Sequence, residues 1–194
     1  MHTMDIYHDI SHCLIHALEA KDLYTSGHSS RVGDMALDLA KKLNLPDETV
    51  EFIHIAGHLH DIGKIGVPDQ ILNKVGKLTQ PEWEMMKQHP QIGYDIIKKS
   101  KYLQSISEII LSHHERWDGS GYPTGLKEEL IPIGARIIAI CDSIDAMTSA
   151  RPYRDPFSWE NCKEEIYNNA STQFDPFIVD RIGTLWDTWM KKYR

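Results

Sequence analysis

The chain has 194 residues, 41% of them apolar, which is enough for one well-packed domain. A formal charge of −7 argues against a binder of nucleic-acid polymers, which would present a basic face. The three cysteines, Cys13, Cys141 and Cys162, are widely spaced, so a disulfide framework is not expected; no apolar run approaches the ~20 residues that cross a bilayer, and a cytoplasmic protein without membrane insertion is the expectation.

Almost every segment reads as helix. Ile6, Ile10, Leu14 and Leu18 recur at four-residue spacing and predict an amphipathic helix over about 4–20. After a break from Asp22 to Gly27, Val32, Ala36, Leu39 and Leu43 predict a second helix that Pro46 stops, and a third runs over 47–59. The tetrapeptide TQPE at 79–82 is a capping box that opens a helix; Pro90 interrupts it, and a helix resumes over 92–99. A further helix is expected over 106–115, with Ile109, Ile110 and Leu111 inward. The glycine-rich stretch 117–131 is a long loop. Helices over 133–149, 159–170 and 177–193 close the chain. With no β-alternation and no internal repeat, the expected fold is a single all-α helical bundle spanning 1–194.

Eleven histidines are many for this length, and several stand at helix ends. His28 opens the second helix, His60-Asp61 ends the third, His89 precedes a proline, and His113-His114 sit ahead of the glycine loop. Asp142 lies inside the apolar run ARIIAICDSIDAM, where a buried carboxylate requires a cation or several donors. Imidazole and carboxylate together suit divalent transition metals. The set is too large for one tetrahedral ion and about right for two, with the two oxygens of Asp61 able to bridge ions ~3.5–4 Å apart.

The order His28, His60-Asp61, Asp142 resembles the HD superfamily of metal-dependent phosphohydrolases. His89, His113-His114 and the loop Gly121-Tyr122-Pro123 make the resemblance one to the HD-GYP subgroup. It runs from about 22 to 176 and includes HDIGKIGVPDQIL, HHERWDGSGYPTGL, RPYR and QFDP. The resemblance implies a helical bundle that hydrolyses cyclic di-GMP to pGpG or GMP through a hydroxide activated by two metals. It implies one ion on His28, His60, Asp61 and Asp142, and a second on Asp61, His89, His113 and His114. Iron or manganese are the first candidates, with zinc, nickel and cobalt behind them. Lys64 matches a lysine that touches a substrate phosphate, and Arg151 and Arg154 match basic positions that hold phosphate. Some members carry a glutamate, supporting a third metal, where this chain has Tyr24, so two metals are expected. The loop is also a proposed docking surface for diguanylate cyclase domains.

Other readings stand beside these. A different cyclic dinucleotide, or a receptor that binds cyclic di-GMP without hydrolysis, fits the same motifs. Lys64 can answer a helix dipole instead, and Arg151 and Arg154 can be surface ion-pair residues. His54 and His58 precede the matched motif and are read as packing or surface residues. His8, His12 and His16 are read as a solvated stripe, or one facing a second subunit in a homodimer. The Tyr122 ring, between two glycines, can pack under His113 and His114, stack on a guanine, or face a partner; the packing role is the one expected.

Overall fold

In the computed structural model, residues 3–22, 27–150 and 155–193 are described, excepting the side chains of 3–5, 7 and 8. Tyr24, Arg151, Arg154 and the side chain of His8 therefore lie outside the described residues. Those residues form eleven α-helices: α1 Thr3–Glu19, α2 His28–Lys42, α3 Asp47–Leu59, α4 Asp69–Leu72, α5 Gln80–Met86, α6 His89–Ile97, α7 Ser107–Ser112, α8 Ile133–Thr148, α9 Trp159–Asn168, α10 Pro176–Arg181 and α11 Leu185–Lys192. The all-α expectation holds; the only strand-like pairing among the described residues is an isolated bridge, Ala170 to Phe174.

The core is a column of aliphatic side chains from α2, α3 and α8, including Val32, Leu39, Ile53, Ile137 and Ile144. Trp189 of α11 closes one side of it. Burial of this apolar surface is the main stabilising term of the fold. It leaves the outer end of α2, the C-terminal end of α3 and the inner face of α8 free to carry polar side chains toward one another.

Several boundaries differ from the expectation, for local reasons. On α1 the buried residues are Ser11, Ile15 and Leu18, whereas Ile6 and Ile10 are exposed. A strict four-residue spacing drifts by about 40° per step around a helix, so the Ile6-to-Leu18 row cannot stay on one narrow face. The second helix ends at Lys42, before Pro46 is reached: Asn44 takes a left-handed φ of 54°, and Pro46 instead precedes α3 as its N-cap. Pro90 sits in the first turn of α6, so the helix restarts at His89 rather than at 92. The expected helix over 106–115 is the shorter α7, entered through a 3-10 turn at Gln104–Ile106. The expected helix over 177–193 is two helices, because Gly183 adopts a φ of +49° between them. The capping box is present as read: Glu82 Oε2 accepts from Thr79 N at 2.7 Å, with Pro81 in the first turn.

The sequence reading also passed over a 3-10 turn at Ile62–Gly66, directly after α3. It packs against α6 so closely that a Cβ on Gly63 would lie 1.9 Å from the His89 carbonyl oxygen. Lys21, past the end of α1, donates to the Ile65 and Val67 carbonyls at 2.6 and 2.8 Å and fixes the turn from the other side. This clamped turn sets Asp61 and Lys64 beside His89.

Candidate metal centre

Seven residues singled out from the sequence come together at one place. Asp61, His89, His113 and His114 offer ligand atoms that all lie within 4.8 Å of one another, and so do His28, His60 and Asp142. Asp61 stands between the two groups. Its Oδ1 is 3.4 Å from His89 Nε2, while its Oδ2 is 3.4 Å from His60 Nε2 and 3.7 Å from His28 Nε2. Asp142 Oδ1 completes the second group at 3.4 Å from His28 Nε2.

The imidazoles are oriented by their outer nitrogens. His60, His89 and His113 each donate Nδ1–H to the carbonyl three residues upstream: Gly57 at 2.7 Å, Met86 at 2.8 Å and Ile110 at 2.6 Å. With Nδ1 engaged in this way, the Nε2 atom of each faces inward. Burial holds His113 well below the usual imidazole pKa, His114 below it, and His89 at about 3, so all three stay neutral donors. Their Nε2 atoms crowd together, His89 to His113 at 3.3 Å and His89 to His114 at 3.1 Å. Two lone pairs repel at such a distance, so each contact needs a proton or a cation between the nitrogens.

The carboxylate side has the opposite character. Burial opposes the charge on Asp61, yet Lys64, His60 and His89 hold its carboxyl well below the usual range. Burial likewise opposes protonation of His60, but Asp61 outweighs it and pushes that imidazole up to about 9. His60 Nε2 is nonetheless buried without a hydrogen bond. A buried orphan nitrogen, a buried carboxylate seeking positive charge and converging neutral imidazoles fit divalent transition-metal ions.

Lys64 is directed at Asp61, Nζ to Oδ2 2.6 Å, with Asp22 Oδ2 at 3.8 Å. Burial works against its charge, but Asp61 and Asp22 raise its pKa, so it remains an ammonium. Tyr122 lies on the rim. Its ring stacks on His114, with centroids 4.9 Å apart at 30°, and meets the edge of Trp83 at 6.2 Å. The loop carries a cis Tyr122–Pro123 bond. Gly121 is required there, because a Cβ would fall 2.4 Å from Arg116 N and 2.6 Å from the His114 carbonyl oxygen.

Three supporting residues escaped the sequence reading. Asp145, not Asp142, is the fully buried carboxylate of α8; Asp142 is partly open toward the site. Asp145 Oδ2 accepts from His28 Nδ1 at 2.7 Å, and Arg31 Nε reaches Oδ1 at 2.5 Å. The signal was present as the Asp142-x-x-Asp145 spacing, which puts both carboxylates on one helix face. Glu115, also buried, accepts from Thr124 N at 2.8 Å and Gly125 N at 3.1 Å and so shapes the exit of the loop. Asp22, read only as part of a break, is buried near Lys64.

A helical domain that gathers imidazoles and carboxylates from five helices around one buried aspartate defines a class of metal-centre proteins. The chain belongs to the HD domain family, whose model matches residues 12–178. It is 47% identical over 164 residues to a cyclic di-GMP phosphodiesterase of Thermotoga maritima, covering 84% of this chain and 45% of that protein. It is 39% identical over 179 residues to 3′3′-cGAMP-specific phosphodiesterase 2 of Vibrio cholerae, covering 91% of this chain and 34% of that protein. The chain thus spans less than half the length of these relatives. Among solved structures it is similar to a cyclic GMP-AMP-specific phosphodiesterase of V. cholerae, with a TM-score of 0.69 at 18% identity over 91% of this chain and 48% of that one. No helix among the described residues is long and apolar enough to cross a membrane.

Proposed function

We propose that this chain is an HD-GYP-type phosphodiesterase that hydrolyses cyclic di-GMP with two divalent transition-metal ions, iron or manganese first. The observation that carries the reading is Asp61, whose two oxygens face two separate groups of imidazoles. His28, His60, Asp61 and Asp142 would hold one ion, and Asp61, His89, His113 and His114 the other. When bound, the pair supplies Lewis acidity and an acidified water. In the reaction a water oxygen bonds to phosphorus, the bond from phosphorus to the 3′ oxygen breaks, and that oxygen leaves with a proton, giving pGpG. A second round gives GMP.

Lys64 stays charged beside Asp61 and neutralises the charge that develops on the phosphoryl oxygens. Arg151 and Arg154, outside the described residues, would join it in holding phosphate and neutralising that charge. The identity to the Thermotoga relative supports cyclic di-GMP as the substrate. The similarity to the Vibrio protein supports a second reading, hydrolysis of 3′3′-cGAMP. Reading the site as cytoplasmic, and the Gly-Tyr-Pro loop as a dock for a diguanylate cyclase domain, follows from the HD-GYP assignment.

The test is turnover by purified chain reconstituted with Mn²⁺ or Fe²⁺, offered cyclic di-GMP and 3′3′-cGAMP side by side. Faster hydrolysis of cyclic di-GMP is expected, and Asp61→Ala should fall to background and lose both ions. Preference for 3′3′-cGAMP selects the second reading. Tight binding of cyclic di-GMP with no product would make the chain a receptor.

A further inference from the structure

A second concentration of metal-type donors lies outside this centre. His54 and His58 are one turn apart on α3 and so share a face of the helix. Their Nε2 atoms face each other at 2.9 Å. Asp34 of α2 brings Oδ1 to 3.6 Å from His54 Nε2, and the three ligand atoms lie within 4.8 Å of one another. The expectation that these histidines are packing or surface residues describes only their exposure: His58 is buried, and His54 is partly so.

The neighbourhood limits how far the rings can move. The α2–α3 contact is so close at this point that a Cβ on Gly33 would sit 2.8 Å from His58 Nδ1. His12 of α1 adds a further imidazole against His58, with ring centroids 5.4 Å apart. Lys192 of α11 donates to Asp34 Oδ2 at 2.9 Å, which leaves Oδ1 on the histidine side; its own side chain is 48% exposed. Two imidazole nitrogens that face each other can share one proton, but they cannot both donate. A dication accepts both lone pairs and the carboxylate together, and an i, i+4 histidine pair with a carboxylate from a neighbouring helix suits Zn²⁺.

We propose that Asp34, His54 and His58 form a separate Zn²⁺ site that clasps α2 to α3 outside the catalytic centre. The site shares no ligand with the proposed phosphodiesterase centre and does not depend on that reading. An ion held there binds the folded chain and not the unfolded one, so it acts as a stabilising clasp.

The experiment is zinc analysis of untagged protein equilibrated with micromolar Zn²⁺, comparing wild type, His54→Gln and Asp34→Asn. Both substituted residues are partly exposed, and helical circular dichroism checks that each variant is folded. Wild type should hold one more zinc per chain than either variant, and titration should show Zn²⁺ affinity at that site reduced at least tenfold. The variants should keep their hydrolytic activity with added Mn²⁺. Asp61→Ala should retain the extra zinc while losing the others, which separates failure of this site from failure of the catalytic reading. Equal zinc content in wild type and both folded variants would overturn the proposal.

Discussion

The imidazoles around Asp61 are oriented in two different ways. His60, His89 and His113 take their orientation from carbonyls only three residues upstream, each within the last turn before the ligand. His28 takes its orientation from Asp145, 117 positions away on another helix, and Arg31 in turn holds that carboxylate. The first kind of support forms wherever the helix end forms. The second exists only once α2 and α8 have packed. Of the five imidazoles in the proposed centre, three are thus set by local geometry and His28 by tertiary assembly.

The largest expected effect comes from breaking the joint between these parts. Gly63 lets the 3-10 turn press on α6, and an added methyl would meet the His89 carbonyl oxygen and Gly93 N, both backbone atoms that cannot swing away. Gly63→Ala should cost at least about 1–3 kcal/mol, the usual range for overpacking. It should also move Asp61 off His89, so the melting temperature and the metal content should fall together. A variant with unchanged stability and full metal content would show that the turn is not what positions Asp61.

Asp145 sharpens the comparison directly. Asp145→Asn keeps the size of the side chain but removes the charge that fixes the His28 tautomer and answers Arg31. Losing an outer-sphere partner of this kind costs about 10–100-fold in metal affinity. The expected outcome is asymmetric: in a metal titration the ion on His28, His60 and Asp142 weakens, while the one on His89, His113 and His114 does not. Equal weakening of both would mean that the two halves act as one unit.

The same division explains what could be read from the chain. The capping box at Thr79 and the candidate ligands are local patterns, and His28, His60, Asp61, His89, His113, His114 and Asp142 are brought together in space. Asp145 and Glu115 went unread because their partners, His28 and Thr124, are visible only after packing. The inward face of α1 was placed on the Ile6, Ile10, Leu14 and Leu18 row, whereas among the described residues Ser11, Ile15 and Leu18 are buried, because a strict four-residue row drifts around the helix. Gly183 split the last helix because one residue with positive φ outweighs the apolar pattern on either side of it.

Substrate contacts give a smaller effect. If Arg151 and Arg154 serve the substrate alone, replacing either with Ala should leave metal content unchanged and weaken cyclic di-GMP binding. The loss expected is about 1.5–3 kcal/mol per charged hydrogen bond, read by calorimetric titration. Unchanged binding in both variants would return these arginines to the role of surface ion-pair residues.

The smallest effect belongs to Tyr122, which tests whether the loop joins the locally supported half of the centre. The ring lies on His114 and against Trp83, while its hydroxyl has no assigned part in that packing. Tyr122→Phe should therefore behave as wild type. Tyr122→Ala removes the stack, worth about 0.5–1.5 kcal/mol beyond area burial, and frees His114 to turn. If the ring serves the fold in this way, hydrolysis of cyclic di-GMP and of a small generic phosphodiester should decline together, with some loss of metal from the His89, His113 and His114 side. If the ring instead stacks on a guanine, only the cyclic dinucleotide should suffer, because the small diester has no base to lose. The two rates, measured on the same metal-loaded preparation, distinguish a ring that holds a ligand from one that holds the substrate.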